Sequence, residues 1–585
     1  MTRTGKSKAQ SKPANRFQGQ IHISGRWRIG ILLVILTLAG ALRFAKLDEV
    51  PPGLHVDEAA NAWNAYTLLK TGKDQHGVPW PIFYARAFGE NRSTSYIYAL
   101  LPLQAIGGMN VWTTRLPAAI GGVITVLLMY LLGTRLFDYW TGLIAAGLLS
   151  GNPWHVQLSR YGYEAALGPL LIVVTLAALL WAKMPLDDRE PERVRPLRAT
   201  LAGALAGISC YGYFAVRFFL PIFLAGIVLV TWRDWWERLN TRKEALSIGA
   251  LLIAFAITFG PLAWKHLTDP EMNRRARNAG WVWDSADPIG TKIWKAASRY
   301  PGHYGLDFLF INGDRELDLS PPAGIGLFHW YELPLMTLGL FTCLRRSKSS
   351  RAARLLLVWV ALYPAADLLN THLSLHVLRS LPGLPGLILL EGVGAGSIAR
   401  AFKPRRRVAL RVIYPLIGIA VVSTIFFIHR FFGDFQRQKN DLWIFASDIL
   451  EAARWLRPRL NNVDAVFVTG RAYHPDVTTL VGLQYNPDQW FNDVRKIIPG
   501  PLPDGAYENE DVYLGYGKMH FMFDKSSMTE LTAMWQNGRA DHAIIIVRPG
   551  ELEFDGVALE KAASPVYEIR NSEGRATLLI FDLQI

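Results

Sequence analysis

The 585-residue sequence predicts a polytopic α-helical membrane protein, with about eleven transmembrane helices and a C-terminal mixed α/β domain outside the membrane. Three observations predict it. After a first apolar stretch, runs of about 17–22 apolar residues recur some ten times, each long enough to cross a ~30 Å hydrocarbon core at 1.5 Å per residue. Arg and Lys collect in alternate connectors between these runs. Near Gly433 the long runs stop and short β-rich runs begin. The composition agrees, with 51% hydrophobic residues and 20 Trp. A net charge of +14 is spread over short connectors and not over one continuous face, which argues against nucleic acid as a partner. The two cysteines, Cys210 and Cys343, lie in or at the end of apolar runs, which argues against a disulfide framework and a Cys-based metal site.

Residues 1–28 carry Arg3, Lys6, Lys8, Lys12, Arg16, Arg26 and Arg28 with no acid, which makes them a cytoplasmic basic tail ahead of the apolar stretch Ile29–Leu42. No small-x-small cleavage site follows, so this stretch is a first span and not a cleaved signal. Further spans are expected at 115–135, 140–158, 165–183, 199–213, 217–232, 246–264, 326–343, 354–370, 381–399 and 409–429, which makes 29–430 the transmembrane domain. Alternation sends the basic connectors Lys183–Arg198, Arg233–Lys243, Arg345–Arg354 and Arg400–Arg411 to the side of the N-terminus, the cytoplasm. The first outer loop (48–114), Arg160–Glu164, Tyr211–Arg217, the large loop 265–325, Asn370–Ser380 and the chain after Ile428 then face outward. Tyr96–Gly107 is too short to span and contains Pro102; a crossing there would invert every later loop, so it is expected to lie along the outer interface. Within the C-terminal domain, 434–585, a helical pattern covers Asp441–Leu456, and strands are expected at Ala465–Val468, His542–Val547 and Ala576–Leu583. No Gly-rich phosphate loop follows a strand there.

The chemistry-bearing residues gather in the outer connectors. Pro51-Pro52-Gly53-Leu54-His55-Val56-Asp57-Glu58 precedes a short helical pattern, so Asp57 is either its N-cap or an acid with work to do. Glu90 and Arg92 share that loop, Arg160 and Glu164 bracket the next connector, and Tyr211, Tyr213 and Arg217 the one after. His372, His376 and Arg379 lie in a later connector; the two imidazoles, four apart, are more often structural than a metal site. A single Arg at a span end can simply snorkel to headgroups, but four polar clusters on one side call for a shared purpose.

Several features together resemble the GT-C membrane glycosyltransferases of the family 39-like group, which includes protein O-mannosyltransferases and the lipid A aminoarabinose transferase. They are the basic N-terminus, the Asp57-Glu58 loop after the first span, a second acid some thirty residues on, an Arg before a Pro-containing helix, the Tyr211-x-Tyr213-x-x-x-Arg217 pattern and the run Leu306–Asp314. The resemblance covers about residues 27–430 and does not extend to the C-terminal domain. It implies that Asp57 activates an acceptor hydroxyl with support from Glu58, and that Glu90 is the second loop acid, followed here by Asn91 where the family often has Lys or Pro. It also implies that Arg217 and Arg379 hold the phosphate of a polyprenyl-phosphate sugar donor while Tyr211 and Tyr213 line the cavity. Such a donor requires no cofactor, although a divalent cation at Asp57 and Glu90 has room; the acceptor is a protein, lipid or glycan. Two rival readings are a transporter or flippase, whose signals are repeated inverted topology and acids within spans, and a sensor or assembly protein built on the C-terminal domain.

Overall fold

The computed structural model describes residues 25–495 except 190–193, 279, 281, 283–284, 315–324, 371–374, 402–405 and 438–442, and residues 512–584 except 524–532, 535–536, 538–540 and 555–556. The basic tail up to residue 24 therefore lies outside the described residues, as does His372. The first helix is α1 (Gly25–Phe44), followed by α2 (Val56–Thr71), the hairpin β1 (Ala85–Ala87) and β2 (Glu90–Arg92), and α3 (Ser95–Gly107). The helical bundle continues with α4 (Val111–Leu136), α5 (Tyr139–Gly151), α6 (Pro153–Leu158), α7 (Gly168–Trp181), α8 (Pro196–Ser209), α9 (Phe214–Val230), α10 (Trp232–Leu239) and α11 (Arg242–Thr268). After the short α12 (Arg274–Asn278) and α13 (Ile289–Arg299) it closes with α14 (Glu332–Arg346), α15 (Arg351–Leu362), α16 (Ala365–Leu368), α17 (Val377–Ser380), α18 (Leu384–Ala401) and α19 (Arg406–Arg437).

Among the described residues, six helical stretches are long and apolar enough to cross a membrane, seven if α9 and α10, bent by 77° to each other, count as one. The other expected spans are present as shorter helices with local breaks. The run 140–158 is one: Asn152 leaves the helix (φ −62°, ψ 126°), its side chain caps α6 by accepting from the His155 amide, and Pro153 opens the new helix.

Ion pairs mark the two ends of the bundle. At one end the basic connectors are tied to acids: Arg135 to Asp187 at 2.7 Å, Arg351 and Arg354 to Asp234 at 2.8 and 3.2 Å, and Arg400 to Asp138 at 3.2 Å. The connectors expected to face outward meet at the other end. Both ends of α3 stay there, since Ser95 donates to the Gly212 carbonyl and the Met109 carbonyl accepts from Gln484 of the C-terminal domain. The segment lies across that end of the bundle.

The C-terminal domain holds α20 (Ser447–Leu456), β3 (Ala465–Thr469), α21 (Pro475–Leu483), α22 (Pro487–Asp493), β4 (Val494–Arg495), β5 (Gly515–Tyr516), β6 (Met519–Met522) and β7 (His542–Val547). A small pair, β8 (Glu553–Phe554) and β9 (Val557–Ala558), precedes β10 (Tyr567–Arg570) and β11 (Ala576–Gln584). Seven strands form one sheet in the order β10-β11-β7-β3-β6-β5-β4, in which β3 runs parallel to both its neighbours. One apolar cluster, with Phe467, Ile545 and Phe581, is the domain's own, and a second is shared. Leu54, Val56, Ala59, Trp63, Phe88 and Val111 of the first outer loop and its borders pack in one cluster with Leu450, Leu480, Trp490 and Ile544. Trp490 sets its ring edge-on to Trp63 at 5.3 Å and donates to the Gln75 carbonyl at 2.8 Å.

Candidate active site

The helix that carries the acidic pair is capped by neither acid alone. His55, in extended conformation, is the N-cap: its Nδ1 accepts from the Asp57 amide at 3.1 Å, while Glu58 at the third helical position accepts from the His55 amide at 2.9 Å. The N-cap reading of Asp57 is thereby corrected, and the Asp57 carboxylate is left for other partners. Glu58, expected beside Asp57 in catalysis, is instead a buried post. Its carboxylate accepts from Arg115 Nε at 2.8 Å, Arg115 Nη2 at 3.0 Å and the Gly162 amide at 2.7 Å. Arg115 goes on to the carbonyls of Leu47, Pro51 and Gly53, so one buried ion pair ties the loop before α2 to α4. Gly53 is required there: its φ is +73°, and a Cβ would stand 2.3 Å from the Phe445 carbonyl oxygen.

Asp57 receives Arg92 Nη1 at 2.5 Å. Arg92 reaches it from β2, on a hairpin whose turn is built by two left-handed residues, Phe88 (φ 54°) and Gly89 (φ 70°), and its guanidinium lies over the Phe88 ring at 5.2 Å. Glu90 faces Arg92 at 3.9 Å and Arg275 at 3.6 Å, and Arg275 bonds Glu164 at 2.6 Å. Asp57, Arg92, Glu90, Arg275 and Glu164 thus form one alternating chain of charges. Burial pushes the Asp57 carboxyl upward, but Arg92, His55 and Arg275 outweigh it and hold it well below the usual carboxylate range. For Arg275 burial acts downward, and Glu164, Glu90 and Asp57 raise it above its ordinary value. One Glu164 oxygen, Oε2, is buried with no hydrogen-bond partner among the described residues.

Beside this chain lies a small cavity of about 60 Å³ where Arg275, Arg379, His376 and Tyr213 converge. Burial pushes the Tyr213 hydroxyl up to about 12, against the pull of Arg275 and Arg379. Arg379 leans on Asp367 at 3.6 Å, and His376 Nδ1 lies 4.0 Å from Asp314. Arg217 is one layer away, bonded to Ser93 Oγ at 3.1 Å, to His266 at 3.0 Å and to the Cys210 carbonyl. Arg275 and Arg379 therefore line the cavity, each paired with a carboxylate, Glu164 and Asp367, that is not itself part of the lining.

Two expected site residues are elsewhere. Arg160 donates to the carbonyls of Leu42, Arg43, Ala45, Lys46 and Val50, so it clamps the C-terminal end of α1 and is corrected from a substrate group to a structural one. Tyr211 donates to the Thr258 carbonyl and stacks on Phe83 at 6.2 Å, so it faces α11 and not the cavity. Two residues were missed. Arg275 sits in the long basic stretch of the large outer loop, where three closely spaced arginines gave charge but no position; His55 lay in the acidic motif, hidden because His is an uncommon cap. Among the described residues no three His, Cys, Asp or Glu side chains gather as metal ligands, and Asp57 and Glu90 meet guanidinium groups in place of a shared cation.

A family model described as dolichyl-phosphate-mannose-protein mannosyltransferase matches residues 94–264. An undecaprenyl phosphate-alpha-4-amino-4-deoxy-L-arabinose arabinosyl transferase 2 of Pseudomonas fluorescens (strain Pf0-1) is 28% identical over 245 residues, 40% of this chain and 39% of that one. The chain thus spans about two fifths of that curated relative's length. Solved structures of ArnT from Cupriavidus metallidurans superpose over nearly the whole chain. The apo form has a TM-score of 0.52 at 15% identity, covering 94% of this chain and 98% of that one. The form bound to undecaprenyl phosphate has a TM-score of 0.50 at 14% identity, covering 95% and 98%. These matches agree with the resemblance to the GT-C family 39-like group read from the sequence. The likeness of fold to ArnT extends through the C-terminal domain, beyond the reach of the sequence motifs.

Proposed function

We propose that this protein is an inverting glycosyltransferase of the GT-C kind that moves a sugar from a polyprenyl-phosphate donor to an acceptor hydroxyl at the outer face of the cell membrane. The observation that carries the reading is the Asp57 carboxylate, free of helix capping, set in one charge network with Arg92, Glu90, Arg275 and Glu164 beside the cavity lined by Arg275 and Arg379. The ArnT structure bound to undecaprenyl phosphate supports the donor class. The donor phosphate is held by Arg275 and Arg379, with Arg217 behind them; guanidinium forks suit a phosphate that gains charge as its bond to the sugar breaks. The acceptor oxygen attacks the anomeric carbon from the opposite side, its proton passes to the Asp57 carboxylate, and polyprenyl phosphate departs. One displacement inverts the anomeric centre.

Asp57 held low is a weak base, so the proton moves late, after most of the sugar–phosphate bond has broken. Glu58 and His55 act as positioning residues that fix α2. The reading is tested by sugar transfer from radiolabelled polyprenyl-phosphate sugars to a membrane extract, with the purified protein in lipid. Asp57→Asn is expected to lower transfer about 10²–10⁴-fold with the fold intact. Full activity in that variant removes Asp57 from catalysis, and no transfer from any donor rejects the enzyme.

A further inference from the structure

Two short helices, α10 and α13, are turned inside out. In α10 the side chains at one helical face, Trp232, Trp236 and Leu239, stand four and three residues apart and are exposed. On its opposite face Asp234 accepts from Arg351 at 2.8 Å and Arg354 at 3.2 Å, and the buried Arg238 bonds Glu244 at 3.3 Å. In α13 Ile289, Ile293 and Trp294 are exposed, Trp294 by 71%. Its buried Arg299 bonds Asp367 at 3.3 Å, and Lys295 turns to Asp287 at 2.5 Å. A helix on the surface of a water-soluble protein carries the reverse order, apolar inward and charged outward. Faces of this kind require an apolar neighbour.

What each helix joins identifies that neighbour. α10 lies in the chain between α9 and α11, whose exposed Leu229, Leu252, Ile253 and Ile257 form the apolar flank of membrane-crossing stretches. It is bent by 77° from α9, so where α9 crosses a bilayer α10 lies nearly in the bilayer plane. α13 leads into a turn in which the Tyr300 hydroxyl donates to the Ala361 carbonyl at 2.8 Å and the Tyr304 hydroxyl to the Val360 carbonyl at 2.7 Å. Those carbonyls lie at the end of α15, and the first residue of α15 is the Arg351 that bonds Asp234 of α10. One bundle helix thus carries α10 at its basic end and α13 at the other. A bilayer meets both faces at once, since its two surfaces are where the bundle ends. Trp beside aliphatic side chains suits the boundary between headgroups and acyl chains, and the exposed Arg233 and Glu237 at the edge of the α10 face reach headgroups and water.

We infer that α10 and α13 are interfacial helices, α10 seated in the leaflet at the basic end of the bundle and α13 in the leaflet at the opposite end, with phospholipid as the partner of their apolar faces. Arg299 of α13 and Arg379 share Asp367, so the seat of α13 sets Arg379 at headgroup depth, the layer in which the phosphate of a lipid-linked donor lies. That consequence rests on the transferase reading; the seats do not. The full chain is reconstituted in nanodiscs of phosphatidylethanolamine and phosphatidylglycerol with one nitroxide label at a time, on Trp236→Cys, Glu237→Cys, Ile293→Cys or Ser298→Cys. Both native cysteines are buried, so each label reports one site. Oxygen, which concentrates in the bilayer, and a water-soluble nickel chelate compete to relax it. Oxygen is expected to outweigh nickel at positions 236 and 293, and the order to reverse at 237 and 298. All four positions are exposed, so an unchanged melting temperature shows that each labelled chain is folded. Nickel outweighing oxygen at 236 or 293 puts that face in water, and protection from both relaxers puts it against protein, a second copy or another chain; either result overturns the seat. Absence of sugar transfer from a protein seated as expected rejects the transferase reading and leaves the seats standing.

Discussion

At the scale of single residues the site turns on which partner each acid has. Asp57 and Glu58 are adjacent in sequence, yet one is braced by Arg92 and keeps some exposure while the other is sealed against Arg115. Substitution separates them. Glu58→Gln leaves Arg115 buried with an unmatched charge, at a cost of about 3–5 kcal/mol, and is expected to lower the melting temperature and the yield of folded protein. Asp57→Asn also takes a charge from a buried arginine, but Arg92 keeps Glu90 at 3.9 Å, so both are expected to fall by less. The pH response follows from Arg92. Since the folded Asp57 is held below its ordinary value of about 4, the stability it contributes is present above that value and is lost as pH falls through its folded one. Protonation of Asp57 therefore produces no acidic limb in kcat/KM between about pH 5 and 8. Arg92→Gln removes the main downward influence while burial remains, so its acidic limb is expected to move up by at least about one unit, read from a pH–rate profile. A limb at the same pH in both proteins would detach Arg92 from Asp57. The acid and its position after the first span were legible in the sequence. The His55 cap and the separate fates of Asp57 and Glu58 were not, because they depend on Arg115 and Gly162, which come from elsewhere in the chain.

At the scale of elements, the apolar runs announced the bundle helices and the β-rich runs announced strands, since both signals are local. The union of α2 with the C-terminal domain left no such trace: Trp63 and Trp490 are far apart in sequence, and either alone reads as an ordinary core aromatic. That union makes the C-terminal domain part of the support for the acid. His474, at the entrance to α21, sets its ring 4.2 Å from Phe88, whose face carries Arg92, so a path of packed side chains runs from the domain to Asp57. Trp490→Ala removes a fully buried indole and its bond to Gln75, at a cost of about 3–5 kcal/mol. Hydrogen exchange is expected to quicken both in α22 and in the amides of α2, and sugar transfer is expected to fall with it. Faster exchange confined to the C-terminal domain would show that α2 stands without it.

At the scale of the whole molecule, the bundle has two ends with unlike ion pairs. One end ties Arg135, Arg351, Arg354 and Arg400 to Asp187, Asp234 and Asp138; the other holds the charge chain from Asp57 to Glu164. A basic end is retained in the cytoplasm, because moving clustered Lys and Arg across a membrane is opposed during insertion. The N-terminus and the connector at Ser349 should then lie inside, and the C-terminal domain, docked on α2 at the opposite end, outside. Both native cysteines are buried, so introduced thiols can report sidedness without background. Ser349→Cys and Glu573→Cys place thiols at exposed positions at opposite ends. In intact cells a membrane-impermeant maleimide is expected to label Glu573→Cys and to spare Ser349→Cys until the membrane is opened. The reverse pattern would turn the catalytic end toward the cytoplasm and require a donor presented there; labelling of both in intact cells would mean that α3, or another short helix, crosses after all. Under the proposed function, the expected pattern would have the lipid-linked sugar arrive laterally through the bilayer and the acceptor from the compartment beyond it.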